Sequence, residues 1–577
     1  MRKIFNLGLA LVMALSVFSF AGCKSEEDVL ELNVYNWEDY ICKDENADLI
    51  ADFEEFASEK YGKKVVVNYS TFGTNENMYN ELQLSKVKTE NGYDYGYDLV
   101  CPSDYMIQKM LGEGMLEKFD RSLGNLDNYD AYSSKYILDL FEKYGWTDYA
   151  CGYMYGTMGF VYNPEVLEKN SGGEYQPGDE AHWDFPWKTY SKNLGTIKDS
   201  IRDTYALAIG KVYADELTAL ALQWKSGNLT DEEYQDEVVK IFNRTDEETV
   251  REVTEELIEL KANVYGFEVD SGKRDMASGK IAINFAWSGD AVYTLDIAEE
   301  AGTELYYSVP EEGSNIWFDG WVMPKGANVE LAQEFVNFLA DPENAKVNMN
   351  YIGYTPVVSG SAMHENAIEW YGVYTLVETD DIGGADFIDS KTGIAYYEYY
   401  LQDAIDEGEL IENVDYISNG IDSETGYECL TLNSVKYPVY DDNDEYIVGY
   451  EEDFEVDVYL YDVSFLLNTY TDDGDMFIWT DTLGRQLETQ YPTKDTVMRC
   501  AIMKHFNDEE MGRLNDMWDE VKVSAIPVWL MIMIFGFIVL ALVLVPLLSY
   551  LNKKGVHFNI KIKRKNLTPV KREIIKQ

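Results

Sequence analysis

The chain has 577 residues, which is too long for a single hydrophobic core, so we expect two or more lobes. Hydrophobic residues make up 46% of it and 45 residues are tyrosine, which excludes a chain that is disordered throughout. The formal net charge of −57 repels nucleic acid and anionic lipid and attracts small cations, although an acidic surface also serves solubility alone.

The amino-terminal residues predict export. Arg2 and Lys3 form a basic start, and residues 7–20 form an apolar stretch that is too short to span a bilayer. The run 20–23 (FAGC) resembles a bacterial lipobox, in which the cysteine is lipidated and becomes the new amino terminus. We therefore predict a lipoprotein-type signal peptide over 1–22 and lipidation of Cys23. An ordinary signal peptide that happens to contain a cysteine is the alternative.

Residues 30–170 alternate between predicted strands and helices. Strands are predicted at 30–35, 65–69 and 98–101, with amphipathic helices between them. Ser103 then lies at the N-cap position of a further helix. This alternation favours an α/β fold with a parallel sheet, in which ligands bind beyond the carboxyl ends of the strands.

The middle of the chain continues the pattern up to an acidic segment. We predict a long acidic helical tract over 232–260, a buried strand over 281–287 and one helix over about 327–350. Segment 371–484 differs because its only basic residues are Lys391 and Lys436.

We interpret 371–484 as an inserted acidic, partly β subdomain. The alternating run 451–460 predicts a strand, and residues 441–444 predict a hairpin turn between Val439 and Ile447.

The carboxyl-terminal region predicts a second membrane attachment. Residues 523–552 carry no charge, and the apolar stretch within them is long enough to span a bilayer. The basic residues that follow mark the cytoplasmic side. We predict a transmembrane helix over 525–550, a cytoplasmic tail over 551–577, and an extracytoplasmic ectodomain before them.

Cysteine and histidine give no sign of a metal site. Five cysteines follow Cys23, and their spacing fits neither a zinc site nor a disulfide framework. The chain has only four histidines, and no two of them have metal-ligand spacing. We predict no metal and no cofactor.

Acidic and aromatic residues stand side by side in two runs of the sequence. These are residues 37–40 (WEDY) and 317–319 (WFD). A polyamine needs carboxylates for its ammonium groups and aromatic walls for its methylenes. Each run alone is more typical of a surface aromatic beside a solvated acid.

Several segments, in the same order along the chain, resemble bacterial spermidine/putrescine-binding proteins. They are 35–41 (YNWEDYI), 97–105 (YDLVCPSDY), 199–205 (DSIRDTY), 286–290 (AWSGD), 317–321 (WFDGW), 351–356 (YIGYTP), and 491–504 with 515–518. The resemblance spans about 30–360 and 488–522. It implies a two-lobed, type II periplasmic-binding-protein fold whose lobes close about a hinge on the ligand.

The resemblance also implies which segments form each lobe. The predicted parts of the chain are 30–152 with 319–358 (lobe 1), 153–318 with 359–370 and 485–522 (lobe 2), and the terminal segments and insertion given above.

By position, the resemblance implies a set of ligand-binding residues: Trp37, Tyr40, Ser103, Tyr105, Asp199, Asp203, Trp287, Trp317, Asp319, Tyr354 and Met503. In the family, Asp203 and Asp319 would pair with amines, and Trp287 and Trp317 would sandwich the alkyl chain. Ser200 stands where some members carry an acid, although Asp199 is beside it. Met503 stands where some members carry a glutamine. The choice among polyamines is therefore open.

These observations predict a non-enzymatic solute-binding protein that delivers a polyamine to an ABC importer, made of permease subunits and a cytoplasmic ATPase. Nucleic acid is not expected as a partner. One alternative keeps the fold but makes the chain a tethered sensor or adhesin. Another is a surface hydrolase with a pair of carboxylates, although the sequence shows no nucleophile motif.

Overall fold

The computed structural model describes residues 29–372 except 45–46, 91 and 270, short strands between 387 and 449, residues 459–523 except 481–485, and five helical positions between 533 and 542. The predicted signal peptide 1–22, Cys23, the tail 551–577 and nearly all of 525–550 lie outside this description. Among the described residues, no helix is both long and apolar enough to cross a bilayer. The described residues divide into two compact units, with the boundary between Trp518 and Asp519.

The described strands are numbered in chain order. They are β1 (Leu30–Trp37), β2 (Val65–Phe72), β3 (Val87–Thr89), β4 (Gly92–Asp94), β5 (Leu99–Val100), β6 (Ala150–Tyr162), β7 (Gly195–Lys198), β8 (Gly266–Glu268), β9 (Ile283–Trp287), β10 (Tyr306–Ser308), β11 (Ser314–Val322), β12 (Thr355–Pro356), β13 (Phe387–Ile388), β14 (Ala395–Tyr400), β15 (Tyr416–Ile421), β16 (Glu428–Leu432), β17 (Val435–Val439), β18 (Tyr446–Gly449), β19 (Tyr459–Asp462), β20 (Phe477–Thr480) and β21 (Cys500–Ala501).

The described α-helices are numbered in the same way. They are α1 (Leu49–Tyr61), α2 (Asn75–Ser85), α3 (Asp104–Gly112), α4 (Asp127–Tyr132), α5 (Lys135–Lys143), α6 (Pro164–Ser171), α7 (Ile201–Val212), α8 (Ala214–Lys225), α9 (Asp231–Phe242), α10 (Glu247–Asn263), α11 (Gly272–Ala277), α12 (Ser288–Glu300), α13 (Val329–Leu339), α14 (Pro342–Ile352), α15 (Ser361–Tyr371), α16 (Ser464–Leu467), α17 (Gln486–Gln490), α18 (Lys494–Met498) and α19 (Asp508–Val523).

Eleven strands form one sheet that contains two parallel groups. Its main path runs β2-β1-β5-β11-β6-β9-β7-β8, with β10 and β12 paired to β6 and β21 paired to β11. Strand β1 is parallel to β2 and β5, and β7 is parallel to β8 and β9. The long strand β6 is antiparallel to β11 and β9, and it joins the two groups. Each parallel group therefore has its own carboxyl edge.

Each group of strands has its own apolar core. Phe141, Phe318 and Met110 belong to the cluster beside the first group, and Ile281 and Leu295 belong to the cluster beside the second. Strand β6 is buried along almost its whole length, because it serves both groups. A strand in this position shows a continuous apolar run rather than alternation.

Two long predicted helices are each divided in the structure. The tract 232–260 forms α9 and α10, because the Asp246 side chain accepts from the Thr249 N–H and begins a new helix. The helix predicted over 327–350 forms α13 and α14. Pro342 cannot continue α13 because it has no N–H, and it begins α14 with Asp341 as its N-cap.

The predicted hairpin turn 441–444 lies outside the described residues, and the described strands on either side of it pair with other strands. Strand β17 pairs with β16, and β18 pairs with β14 instead of β17. A polar turn sequence shows where the chain can reverse, but the partner of each strand is decided by contacts distant in sequence. Of the predicted strand 451–460, only the last two residues are described, and they belong to β19.

Candidate functional site

Trp287, Trp317 and Asp319 are brought to one face of the central sheet by strand register. Their partners are alternate residues of β6, namely Met158, Gly156 and Met154. Paired residues of antiparallel strands share a face, and alternate residues of a strand point the same way. The three side chains therefore project from the same side of the sheet, although they come from two strands.

Gly156 makes room for this arrangement. A Cβ atom at this position would lie 2.7 Å from a ring carbon of Trp317 and 2.2 Å from the Ser288 hydroxyl. Both distances are shorter than any ordinary contact, so a side chain here would displace the indole. Glycine is needed for close approach rather than for an unusual backbone angle.

The centre of the candidate site is the carboxylate of Asp319. The Tyr40 hydroxyl donates to its Oδ2 atom at 2.9 Å, and Asp319 is only 6% exposed. Its Oδ1 atom has no hydrogen-bond partner within the described part of the chain. Burial raises the pKa of Asp319 to about 6, against the lowering influence of the Ser103 and Tyr40 hydroxyls. Asp319 is thus a desolvated acid with unused acceptor capacity.

Aromatic rings surround this carboxylate. The Tyr354 ring makes edge contacts with Tyr40 and Trp317, with centroids 5.1 Å and 5.7 Å apart. Trp37 ends β1 and lies against Phe72 at 4.6 Å. The indole N–H groups of Trp37 and Trp317 are buried and have no acceptor among the described residues. The walls of the candidate site are therefore flat and apolar, and they carry two indole N–H donors without an acceptor among the described residues.

Ser103 lies at the N-cap position of α3, as predicted, but its side chain does not cap the helix. Its hydroxyl accepts from Asn75 Nδ2 at 3.0 Å and lowers the pKa of Asp319. Tyr105, in the first turn of α3, donates its hydroxyl to Glu76 Oε1 at 3.0 Å. Both residues lie at the carboxyl edge of the first strand group, where the alternating pattern predicted a ligand site.

Asp104 is a buried acid that the sequence analysis did not include. It is 1% exposed, and its Oδ2 atom has no partner in the described structure. Burial raises its pKa well above the usual range, although the Tyr105 N–H and Arg202 oppose the rise. Its place between Ser103 and Tyr105, in a motif already identified, was the available signal.

Arg202 was also missed. Its guanidinium lies 3.8 Å from the Phe506 ring centroid and 5.1 Å from that of Tyr105. One nitrogen, Nη2, donates to the Lys504 carbonyl at 2.7 Å, and Nη1 is buried without a partner among the described residues. Arg202 therefore holds the segment around 504 against the first turn of α7.

The two acids predicted next to Arg202 differ in placement. Asp203 lies in the first turn of α7, where the Ser200 hydroxyl accepts its N–H at 3.4 Å. Burial raises the pKa of Asp203, and Ser200 and Lys198 oppose that rise. Asp199 is exposed, and its N–H donates to the Glu268 carbonyl at 2.7 Å. Ser200 is therefore a helix cap, and Asp199 is not buried in its place.

Lys198 is buried beside these residues, and its ammonium lies over Trp287. Its Nζ atom is 4.1 Å from the Trp287 ring centroid and 3.2 Å from Asp290 Oδ2. The Tyr354 hydroxyl donates to the other oxygen of Asp290 at 2.9 Å. A continuous path of contacts thus runs from Lys198 through Asp290 and Tyr354 to the Asp319 region.

Met503 is buried, 8% exposed, in the segment that follows β21. Its carbonyl accepts from Gln108 Nε2 of α3 at 3.0 Å, while the adjacent Lys504 N–H donates to Asn243. This segment is therefore held by helices that follow both strand groups.

Comparison with known proteins gives a consistent family. The model of the family described as bacterial extracellular solute-binding protein matches residues 48–371. The putrescine-binding periplasmic protein SpuD of Pseudomonas aeruginosa is 31% identical over 351 residues, covering 59% of this chain and 82% of that protein. The spermidine/putrescine-binding periplasmic protein of Salmonella typhimurium is 29% identical over 353 residues, covering 61% and 84%.

A solved structure is similar as well. The spermidine/putrescine ABC transporter substrate-binding protein PotD of Streptococcus pneumoniae is 29% identical, with coverage of 57% of this chain and 83% of that one and a TM-score of 0.41. The predicted two-lobed α/β fold agrees with the family, whereas the acidic insertion and the transmembrane helix stay predictions. The chain belongs to the bacterial extracellular solute-binding proteins, in the group of polyamine ABC transporter substrate-binding proteins.

Proposed function

We propose that this protein captures a polyamine through the Asp319 carboxylate and delivers it to an ABC importer. The observation that carries the proposal is a buried acid among aromatic rings, one oxygen of which has no partner among the described residues. The relatives named for spermidine and putrescine support the ligand class. The importer's permease subunits and cytoplasmic ATPase are the proposed partners.

An ammonium group fits the chemistry of this site. A buried ionised carboxylate without a counter-ion is unfavourable by several kcal/mol, which is why the pKa of Asp319 is raised. A ligand ammonium supplies the missing charge and a donor for Oδ1. Its methylenes then pack on Trp317 and Tyr354, where a cation over a desolvated ring contributes up to about 2 kcal/mol.

The other predicted residues take roles around this pair. Trp37, Tyr40, Ser103 and Tyr105 would wall the cleft from the first strand group. Trp287, Tyr354 and Met503 would wall it from the second strand group and the crossing segments. Asp203 would receive a second amine. Asp199, which is exposed, would attract cations to the entrance.

Entry of the ligand requires opening. Tyr40, Trp317 and Asp319 are each at most 8% exposed, so a polyamine cannot reach Oδ1 while these contacts persist. We assign 30–152 with 319–358 to one lobe and 153–318 with 359–370 and 485–522 to the other. Opening about the crossing strands β6 and β11 would expose the site, and ligand would favour closure.

The proposal includes an extracytoplasmic location. The ectodomain would be tethered by lipid on Cys23, by the helix predicted over 525–550, or by both, with 551–577 in the cytoplasm. The relatives named as periplasmic proteins support this side of the membrane. The role of the insertion 371–484 is not part of the binding proposal.

Calorimetric titration tests the function directly. The full chain in zwitterionic lipid nanodiscs is titrated with putrescine, cadaverine, spermidine and spermine. We expect saturable one-to-one binding of at least one amine that persists at roughly 0.5 M salt, because a buried pair is screened little. Weak, multi-site heat that disappears with salt would show that the acidic surface merely attracts polycations, and the proposal would fall.

A further inference from the structure

Lys198 is the last residue of β7, yet it is only 2% exposed. Buried lysines are rare because the ammonium loses its hydration. Here the charge is compensated. Its Nζ atom lies 3.0 Å from the Val269 carbonyl, 3.2 Å from Asp290 Oδ2 and 3.6 Å from Glu268 Oε1.

The same ammonium lies on an aromatic wall of the candidate site. The distance of 4.1 Å to the Trp287 centroid is within the range of a cation–π contact. Trp287, two carboxylates and a carbonyl are the groups that a ligand amine would need. At this end of the site they already hold an amine, and it belongs to the protein.

The charges of Asp290 and Glu268 are already balanced, so these two acids leave no place for another cation. Lys273 also contacts Asp290, with its Nζ at 3.3 Å from Oδ1, and it is more exposed than Lys198. Two acids, Asp290 and Glu268, are thus matched by two lysines. The contrast with Asp319, whose Oδ1 atom is unpartnered in the described structure, is direct.

Asp290 connects this balanced group to the rest of the site. It accepts from Tyr354, whose ring contacts both Tyr40 and Trp317. A ligand amine bound at Asp319 would therefore extend its alkyl chain along Tyr354 toward Lys198.

We propose that Lys198 is an internal ammonium that fills one amine position of the cleft, so that the cleft selects a diamine over a triamine. This inference rests on the proposed function. Beyond its Cβ atom, lysine carries three methylenes and an ammonium group. That aminopropyl unit is also what spermidine has in addition to putrescine. The Lys198 side chain thus supplies the aminopropyl unit that a triamine would otherwise bring.

The substitution Lys198→Ala removes this aminopropyl unit and leaves its surroundings in place. The full chain in zwitterionic nanodiscs is titrated calorimetrically with putrescine and with spermidine. We expect the unaltered protein to bind putrescine at least about tenfold more tightly, and Lys198→Ala to shift the affinity ratio toward spermidine by at least about tenfold. The matched control Lys273→Ala, which removes a lysine from the same acid but not from Trp287, is expected to leave the ratio within about twofold.

Loss of Lys198 alone leaves Asp290 short of one cation. The variant is therefore compared with Lys198→Ala/Asp290→Asn, in which both charges are removed. Glu268 and Trp287 then receive the third amine, and a shift toward spermidine of at least about fivefold is expected. An unchanged ratio in the variants that fold, an equal shift in Lys273→Ala, or preference of the unaltered protein for spermidine overturns the inference while the proposed function stands. Failure of the unaltered protein to bind any polyamine overturns the function, and this inference with it.

Discussion

The two ends of the candidate site place similar residues in opposite electrostatic states. At one end, Asp319 lies near Trp317, and burial raises the pKa of its carboxyl to about 6. At the other end, Asp290 follows Trp287 closely in the chain. Burial alone would raise its pKa too, but Lys198 and Lys273 lower it below the usual range.

The difference separates a binding group from a scaffold group. A buried acid with its counter-ion in place contributes to the stability of the fold, and removal of one partner leaves a charge uncompensated. A buried acid without its counter-ion destabilises the unliganded fold and gains most when a cation arrives. Both acids stand close after a tryptophan in the sequence, so their roles depend on which other side chains the fold brings to them.

The largest expected effect is on ligand affinity at the unpaired end. Asp319→Asn keeps the shape of the side chain but removes the charge that would pair with a ligand ammonium. We expect polyamine affinity to fall about a hundredfold, which corresponds to about 3 kcal/mol. Calorimetric titration of the variant with the tightest-binding amine measures this loss of affinity.

Glu334→Gln is the matched control for that loss. Glu334 is also a buried acid, but it pairs with Lys60 at 2.6 Å and lies outside the candidate site. The polyamine affinity of the Glu334→Gln variant is expected to equal that of the unaltered protein. Equal affinities of Asp319→Asn and the unaltered protein would remove Asp319 from the site.

Stability without ligand should change in opposite directions at the two ends. Asp290→Asn leaves buried Lys198 with less compensation, and we expect the free energy of unfolding to fall by about 3 kcal/mol. Asp319→Asn removes an unfavourable buried charge, so we expect the free energy of unfolding at neutral pH to rise. Denaturant unfolding monitored by circular dichroism measures both. A loss of stability in both variants would contradict the comparison.

Ligand affinity should also depend on pH through Asp319. The ligand pairs with the ionised carboxylate, so affinity should weaken about tenfold for each pH unit below about 6 and level off above it. The stability of the unliganded fold has the opposite dependence. A folded-state pKa raised from 3.8 to about 6 contributes stability that is complete below 3.8 and is lost as the pH rises through 6.

Titrations between pH 5 and pH 8 measure this dependence, with Asp319→Asn as the reference in which the group is absent. The pH dependence of both affinity and stability should be smaller in that variant. An identical profile in the variant and the unaltered protein would assign the titration to another group.

The smallest expected effect comes from a single hydroxyl. Tyr40→Phe removes the donor to Asp319 Oδ2, and we expect affinity to fall about fivefold, or about 1 kcal/mol. It should also move the midpoint of the pH dependence upward, because the Tyr40 hydroxyl lowers the pKa of Asp319. Tyr205→Phe removes a hydroxyl that donates to the Arg244 carbonyl, and it should change neither quantity.

Much of the fold could be read from local patterns. The strands near 30–37 and 65–72 and the start of α3 after Ser103 lie where periodicity and capping predicted them. The divided helices were missed because an apolar stripe continues across Pro342 and across the Asp246 cap. The stripe reports which face is buried, and not whether the backbone between two turns stays helical.

The ligand-binding roles of the candidate residues stay predictions. The register of β6 brings three of those residues, Trp287, Trp317 and Asp319, to one face of the sheet. Asp199 is exposed, and Asp104 and Lys198 were not identified. Asp104 and Lys198 each stand beside a predicted residue, but the direction of a side chain at a strand end or in a first helical turn is set by packing rather than by composition.

The sequence by itself determined the alternation of strands and helices, the acidic character and the ordered motifs of the family, because these depend on residue type and spacing. Only the tertiary structure decided which buried acid has a cation beside it. Lys198 and Asp290 are far apart in the chain, and strand pairing through β9 brings them together. Ion pairing depends on distance in space, and a linear sequence does not specify that distance until the sheet has formed.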